Sequence, residues 1–80
     1  MKLPRDLSSD DLIKSLSSKG YEITRQTGSH IRLTTLENGK HSITVPAHNS
    51  LKTGTLNSIL RDIAQHFNLS RDELLEELFK

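Results

Sequence analysis

Four histidines, His30, His41, His48 and His66, supply side chains that can gain or lose a proton near neutral pH, since free imidazole titrates at about 6.5. They show no close i, i+4 pairing and the sequence has no cysteine, so the spacing favours proton transfer without a metal. Two stretches concentrate groups suited to an anion. RQTGSHIRL, residues 25–33, combines Arg25, Gly28, Ser29 and His30, and VPAHNSLKTGTLNSIL, residues 45–60, carries His48 and Lys52. Arg25, His48 and Lys52 can hold a phosphate or stabilise charge developing on it. Gly28 either makes a turn or admits close backbone approach to a phosphate, and Ser29 offers a hydroxyl or its amide. Taken singly, His30 reads as an exposed strand histidine and Gly28 as a turn glycine. His48, in a loop after a proline, either contacts a ligand or caps and packs locally. His41 and His66 fit surface positions, His66 near a helix end where positive charge is welcome.

The elements that must position these groups follow from periodicity. Ser8 or Ser9 caps a first helix with Asp10 and Asp11 at its positive end and Leu12, Ile13 and Leu16 as its apolar stripe, and Gly20 stops it. From Tyr21 to Thr27, Tyr21 and Ile23 alternate with Glu22, Thr24 and Gln26, as in a strand with one buried face. Thr27 and Gly28 form a tight connection to a second strand, about Ser29 to Leu36, with Ile31 and Leu33 on one side and His30, Arg32 and Thr34 on the other. Asn38-Gly39 signals a hairpin turn into a third strand, Lys40 to Val45. Pro46 ends that strand, and an irregular loop leads to a helix capped by Thr53 or Thr55, with Leu56, Ile59, Leu60, Ile63 and Phe67 at helical spacing and Asn68 as its stop. Ser70 and Glu73 form a capping box for a short last helix whose leucines either close the core or leave an apolar strip for a partner. The prediction is an α+β domain, helix, three antiparallel strands, helix and a short terminal helix, with the face bearing Thr24, Arg32, Thr34, Ser42 and Thr44 open to water.

Eighty residues predict one domain over 1–80 with a thin core and no room for a large cofactor. The net charge of +1 is nearly neutral, but Lys19, Arg25, Arg32, Lys40 and Lys52 face only Glu22 and Glu37 over the middle of the chain, while the tail from Asp72 to Glu77 is acidic. The basic middle reads as solvated sheet surface or as a phosphate-binding face. The start, MKLPRDLSSDD, lacks the apolar stretch of a signal peptide and no apolar run is long enough to span a bilayer, so a cytoplasmic location is expected. Tyr21, Phe67 and Phe79 occupy core-facing positions, which leaves little for base stacking.

A glycine, a small residue and a histidine opening a strand, followed by Val-Pro-x-His and then Gly-Thr-Leu opening a helix, resembles the HicA toxins of bacterial and archaeal toxin-antitoxin pairs. The resemblance runs from about Leu12 to Phe67 and rests on Gly28, Ser29, His30, Pro46, His48, Gly54, Thr55 and Leu56. It implies a double-stranded-RNA-binding-like fold, cleavage of mRNA, inhibition by a HicB-type antitoxin, and His30 as the catalytic histidine; that no apolar run is long enough to span a bilayer predicts no membrane association. The segment after Phe67 extends beyond the family core.

Metal-free RNA cleavage needs a base for the 2′-hydroxyl proton, attack of that oxygen on the adjacent phosphorus, and an acid for the departing 5′-oxygen. A single positioned acid or base contributes roughly 10² to 10⁴ in rate, so His30 needs helpers, and His48, Lys52 and Arg25 are the candidates. Two other readings stand beside this one: a non-catalytic RNA-binding module of the same fold, and a purely protein-interacting domain.

Overall fold

The computed structural model describes residues 3–4 and 6–79; residues 1, 2, 5 and 80, which the amino-terminal and whole-chain readings include, lie outside the described residues. The order is α1 (Ser9–Leu16), a 3-10 turn (Ser17–Lys19), β1 (Glu22–Thr27), β2 (His30–Thr35), β3 (His41–Pro46), α2 (Thr53–Phe67) and α3 (Arg71–Phe79). The strands form one antiparallel sheet in the order β1-β2-β3. This is the predicted α-β-β-β-α arrangement with its additional terminal helix.

Local chemistry sets most of the boundaries. Ser8 caps α1 in a capping box, its Oγ accepting from the Asp11 amide at 3.0 Å while the Asp11 carboxylate accepts from the Ser8 amide at 3.5 Å. Ser70 and Glu73 repeat the arrangement at α3, at 3.1 and 2.9 Å. Gly20, at φ 79°, turns the chain from the first helical segment into the sheet, and Asn68, at φ 59°, closes α2. The start of α2 departs from expectation. Lys52 is its N-cap and no side chain caps it, because Thr53 and Thr55 already lie within the first turn, past the position from which a hydroxyl reaches the orphan amides.

One face of the sheet and the three helices enclose a common core. Leu12 and Leu16 of α1, Leu56, Leu60 and Ile63 of α2, and Leu74 and Leu75 of α3 pack with Tyr21, Leu33, Ile43 and Val45. The leucines of α3 therefore close the core, which accounts for the length beyond the second main helix. Removing this apolar area from water is the main stabilising contribution available to a chain without disulfides.

The first strand corrects the sequence reading twice. Tyr21 is buried but precedes β1, and Ile23 is 52% exposed, as every residue of β1 is exposed. β1 is an edge strand, hydrogen-bonded only to β2, and the helical layer does not extend over it. The register also slips: Ile23 pairs with Leu33, but Arg25 pairs with Arg32, with Thr24 the extra residue of a β-bulge. Strict alternation assigns Arg25 to the side of Ile23. The bulge instead puts Arg25 on the face of Arg32, and Gln26, paired with Ile31, on the helix side.

Candidate functional site

His30 is the first residue of β2, delivered by a two-residue turn, since Thr27 and His30 are cross-strand partners. Gly28 takes φ 56° at the first turn position, where a hairpin of the II′ type calls for glycine, and no atom lies within 4 Å of the place a Cβ would occupy. Its backbone conformation, not crowding, therefore accounts for the glycine, and Ser29 is the exposed second turn residue.

Alternation along β2 sends Ile31 and Leu33 into the core and sets His30, Arg32 and Thr34 on the opposite, open face. Their partners on β3 are Pro46, Thr44 and Ser42. His30 thus stands at one end of the open face, exposed, and among the described residues its side chain forms no hydrogen bond or ion pair. Arg25 shares this face because of the bulge.

His48 and Lys52 converge elsewhere on the same end of the molecule. With Pro46, Ser50, Leu51 and Thr55 they line a depression of about 260 Å³ at the N-terminus of α2. The first-turn amides there have no side-chain cap, and they and the positive end of the helix favour an anion. Pro46 connects the two groups, being both a wall of the depression and the cross-strand partner of His30. The Ala47 amide donates to the Ser29 carbonyl at 2.7 Å, tying the turn before His30 to the loop that carries His48. The five other candidates therefore divide into Arg25, Gly28 and Ser29 on the hairpin with His30, and His48 and Lys52 around the helix start. No hydrogen bond joins the His30 and His48 side chains among the described residues.

Two features were missed by sequence reasoning. Buried Ser9 holds the His48 backbone: its hydroxyl donates to the His48 carbonyl and accepts from the His48 amide, both at 3.2 Å, and its own amide donates to the same carbonyl at 2.9 Å. Together with the Leu51 amide donating to the Leu7 carbonyl at 2.8 Å, this fixes the loop before α2 against the start of α1. A serine in a helix's first turn gives no sequence signal for a contact 39 residues away.

The second is a histidine pair where surface positions were expected. His41 and His66 are half-buried, with rings stacked at 4.4 Å and 12°. His41 Nε2 lies 3.2 Å from Asp62 Oδ1, and its Nδ1 lies 2.7 Å from the Tyr21 hydroxyl. An ionised carboxylate only accepts, so Nε2 carries the proton and Nδ1 of the neutral ring accepts from the phenol. Burial, and secondarily the Asp62 charge, push Tyr21 up from 10.0 to about 12. His66 Nε2 approaches the Glu37 carbonyl at 2.9 Å. This cluster lies under the helix-covered face at the opposite end of β3 from Pro46, so it braces α2 on the sheet and stands apart from His30.

Among the described residues no group of three or more His, Cys, Asp or Glu side chains is placed to hold a metal ion, and no helix is long and apolar enough to cross a membrane. The fold and site together define a small α+β protein with an exposed histidine at the head of an open, basic sheet face. The family model described as HicA toxin of bacterial toxin-antitoxin systems matches residues 9–64, which include both histidine-bearing blocks, and the chain belongs to the HicA toxin family. No curated protein and no solved structure matches the chain significantly.

Proposed function

We propose that this chain is the toxin of a toxin-antitoxin pair and an endoribonuclease that cleaves mRNA in the cytoplasm, with His30 as a general acid or base and a HicB-type antitoxin as its inhibitor. The observation that carries the reading is the placement of His30: exposed, at the end of a polar sheet face that also bears Arg25 and Arg32, and within a member of the HicA family. In this reaction His30 either takes the 2′-hydroxyl proton as that oxygen attacks the adjacent phosphorus, or gives a proton to the 5′-oxygen as its bond to phosphorus breaks. Arg25 neutralises charge on the scissile phosphate. Lys52, His48 and the uncapped amides of α2 hold a neighbouring phosphate, and Gly28 and Ser29 shape the turn that delivers His30. The antitoxin inhibits by covering His30 and its basic rim.

The test compares wild type with His30→Ala on a labelled RNA in the presence of chelator, beside the same oligonucleotide made with deoxyribose, with circular dichroism showing both proteins folded. Cleavage of RNA alone, lost in the folded variant, is the expected result. Equal cleavage by both proteins removes His30 from the chemistry. RNA binding without cleavage by folded wild type selects the non-catalytic binding module.

A further inference from the structure

The open face of the sheet continues past His30 into a shallow depression of about 300 Å³ lined by Thr24, Arg25, Arg32, Thr34, Lys40 and Ser42. Three of these six side chains are cationic and the other three are hydroxyls. No carboxylate pairs with Arg25, Arg32 or Lys40 among the described residues. Glu22, paired with Thr34, is the one carboxylate that the register places on this face, at its β1 edge. Glu37, in the adjoining loop, has its carboxylate beside Gly20.

We infer that this face is a track for the phosphate backbone of the RNA leading away from the scissile bond on one side, with Arg25, Arg32 and Lys40 as its phosphate contacts. The inference rests on the RNA-cleaving reading of His30.

Four observations carry it. Continuity comes first: His30, Arg32 and Thr34 are successive same-face residues of β2, so the surface leads from the reacting histidine over about 13 Å of strand. Charge is second, because a phosphate chain is the ligand that satisfies three unpaired cations on one surface at once. Third, the β-bulge places Arg25 opposite Arg32, although like charges directly across a strand pair destabilise it, and an anion between them removes that repulsion.

The hydroxyls are the fourth. Thr24 Oγ1 and Thr34 Oγ1 lie 3.1 Å apart and Thr34 Oγ1 and Ser42 Oγ 2.9 Å apart, a chain crossing all three strands. Each hydroxyl both donates and accepts; Thr24 Oγ1 also donates to the Arg32 carbonyl at 3.5 Å, so the donor the chain can turn toward a phosphate oxygen is at its Ser42 end. No aliphatic or aromatic side chain lines the depression. A stable protein interface wants an apolar centre, whereas backbone recognition of RNA needs none, and this favours RNA over an acidic protein as the occupant.

The experiment uses the full chain carrying His30→Ala with a labelled 2′-O-methyl RNA oligonucleotide, which has no 2′-hydroxyl to attack and stays intact, and follows its binding by fluorescence anisotropy across salt concentrations. Added Arg25→Gln, Arg32→Gln and Lys40→Gln are compared singly and together, with Lys14→Gln on α1 as the control cation. The triple variant is expected to bind at least about tenfold more weakly and to lose about 2 from the slope of log affinity against log salt, each single variant about 0.7. All of these side chains are exposed, and matched thermal melts verify folding. A folded triple variant with parental affinity and slope overturns the track, as does a parent that binds no RNA. So does a triple variant that loses an antitoxin but keeps RNA, which assigns the face to protein. Since binding is read without cleavage, none of these results depends on whether His30 is catalytic, which the cleavage assay decides separately.

Discussion

Replacing Tyr21 by Phe tests the buried hydrogen-bond chain that braces α2 on the sheet. At neutral pH the variant loses the hydrogen bond from the phenol to His41 Nδ1, 2.7 Å in the structure, and leaves a half-buried acceptor without its donor. The expected cost is about 1–2 kcal/mol, read as a fall in Tm of roughly 4–8 °C per kcal/mol for a domain of this size. The pH dependence is more telling. The folded phenol titrates at about 12 rather than 10.0, so its neutral form is favoured by folding. That contribution is fully present below pH 10 and is lost as pH rises through 12, and it amounts to about 2–3 kcal/mol in total. Wild type carries this alkaline loss and Tyr21→Phe does not, so the advantage of wild type at pH 7 to 9 disappears by about pH 12. Thermal melts of both proteins across that range measure the effect. The chain contains a single tyrosine, so phenolate absorbance reports Tyr21 alone, with a midpoint near 12 when folded and near 10 in denaturant. A native midpoint near 10, or stability profiles that stay parallel from neutral to alkaline pH, refutes the reasoning.

Three further outcomes are expected. Gly20→Ala destabilises by at least about 2 kcal/mol, because φ is 79° there and a Cβ falls 2.8 Å from Thr35 Oγ1; urea denaturation with an unchanged m value measures it. Ser9→Ala costs about 1–2 kcal/mol and speeds hydrogen exchange at the His48 amide, which loses the acceptor it has at 3.2 Å; exchange as slow as in wild type contradicts the assignment of Ser9 as the anchor of that loop. Ser70→Ala costs about 1 kcal/mol by removing the α3 cap. The same change leaves the amide of residue 70 donating to the Glu73 carboxylate, the larger cause of its lowering, and removes the smaller side-chain hydrogen bond, so the Glu73 carboxyl rises only part of the way toward its ordinary range. In wild type that contribution is present above the ordinary carboxyl range and is lost as pH falls through the lowered value, and an NMR titration of Glu73 in both proteins checks the direction.

Much of this architecture is legible in the chain because its determinants are local. Ser8 with Asp11, Ser70 with Glu73, Gly20 and Asn68 act within a few residues of themselves, and the alternation of Ile31 and Leu33 with His30, Arg32 and Thr34 needs only the pleat of a strand. His30 could therefore be assigned to the open face from sequence. Ile23 could not, because its alternation is correct while its burial depends on whether a helix extends over the edge strand, and none does.

The sequence by itself determined the elements, their order, the turn that delivers His30 and the two blocks by which the family is recognised. Only the tertiary structure decided which groups share a surface. A one-residue bulge after Ile23, invisible to periodicity, turns Arg25 to the side of His30 and Arg32. Ser9 reaches His48, and His41 finds Tyr21, Asp62 and His66, across separations of 20 residues or more. The physical reason is the same in each case: caps and alternation are set by neighbours along the chain, whereas register, coverage and long-range hydrogen bonds are set by how one apolar sheet face and three helices find the packing that buries them all.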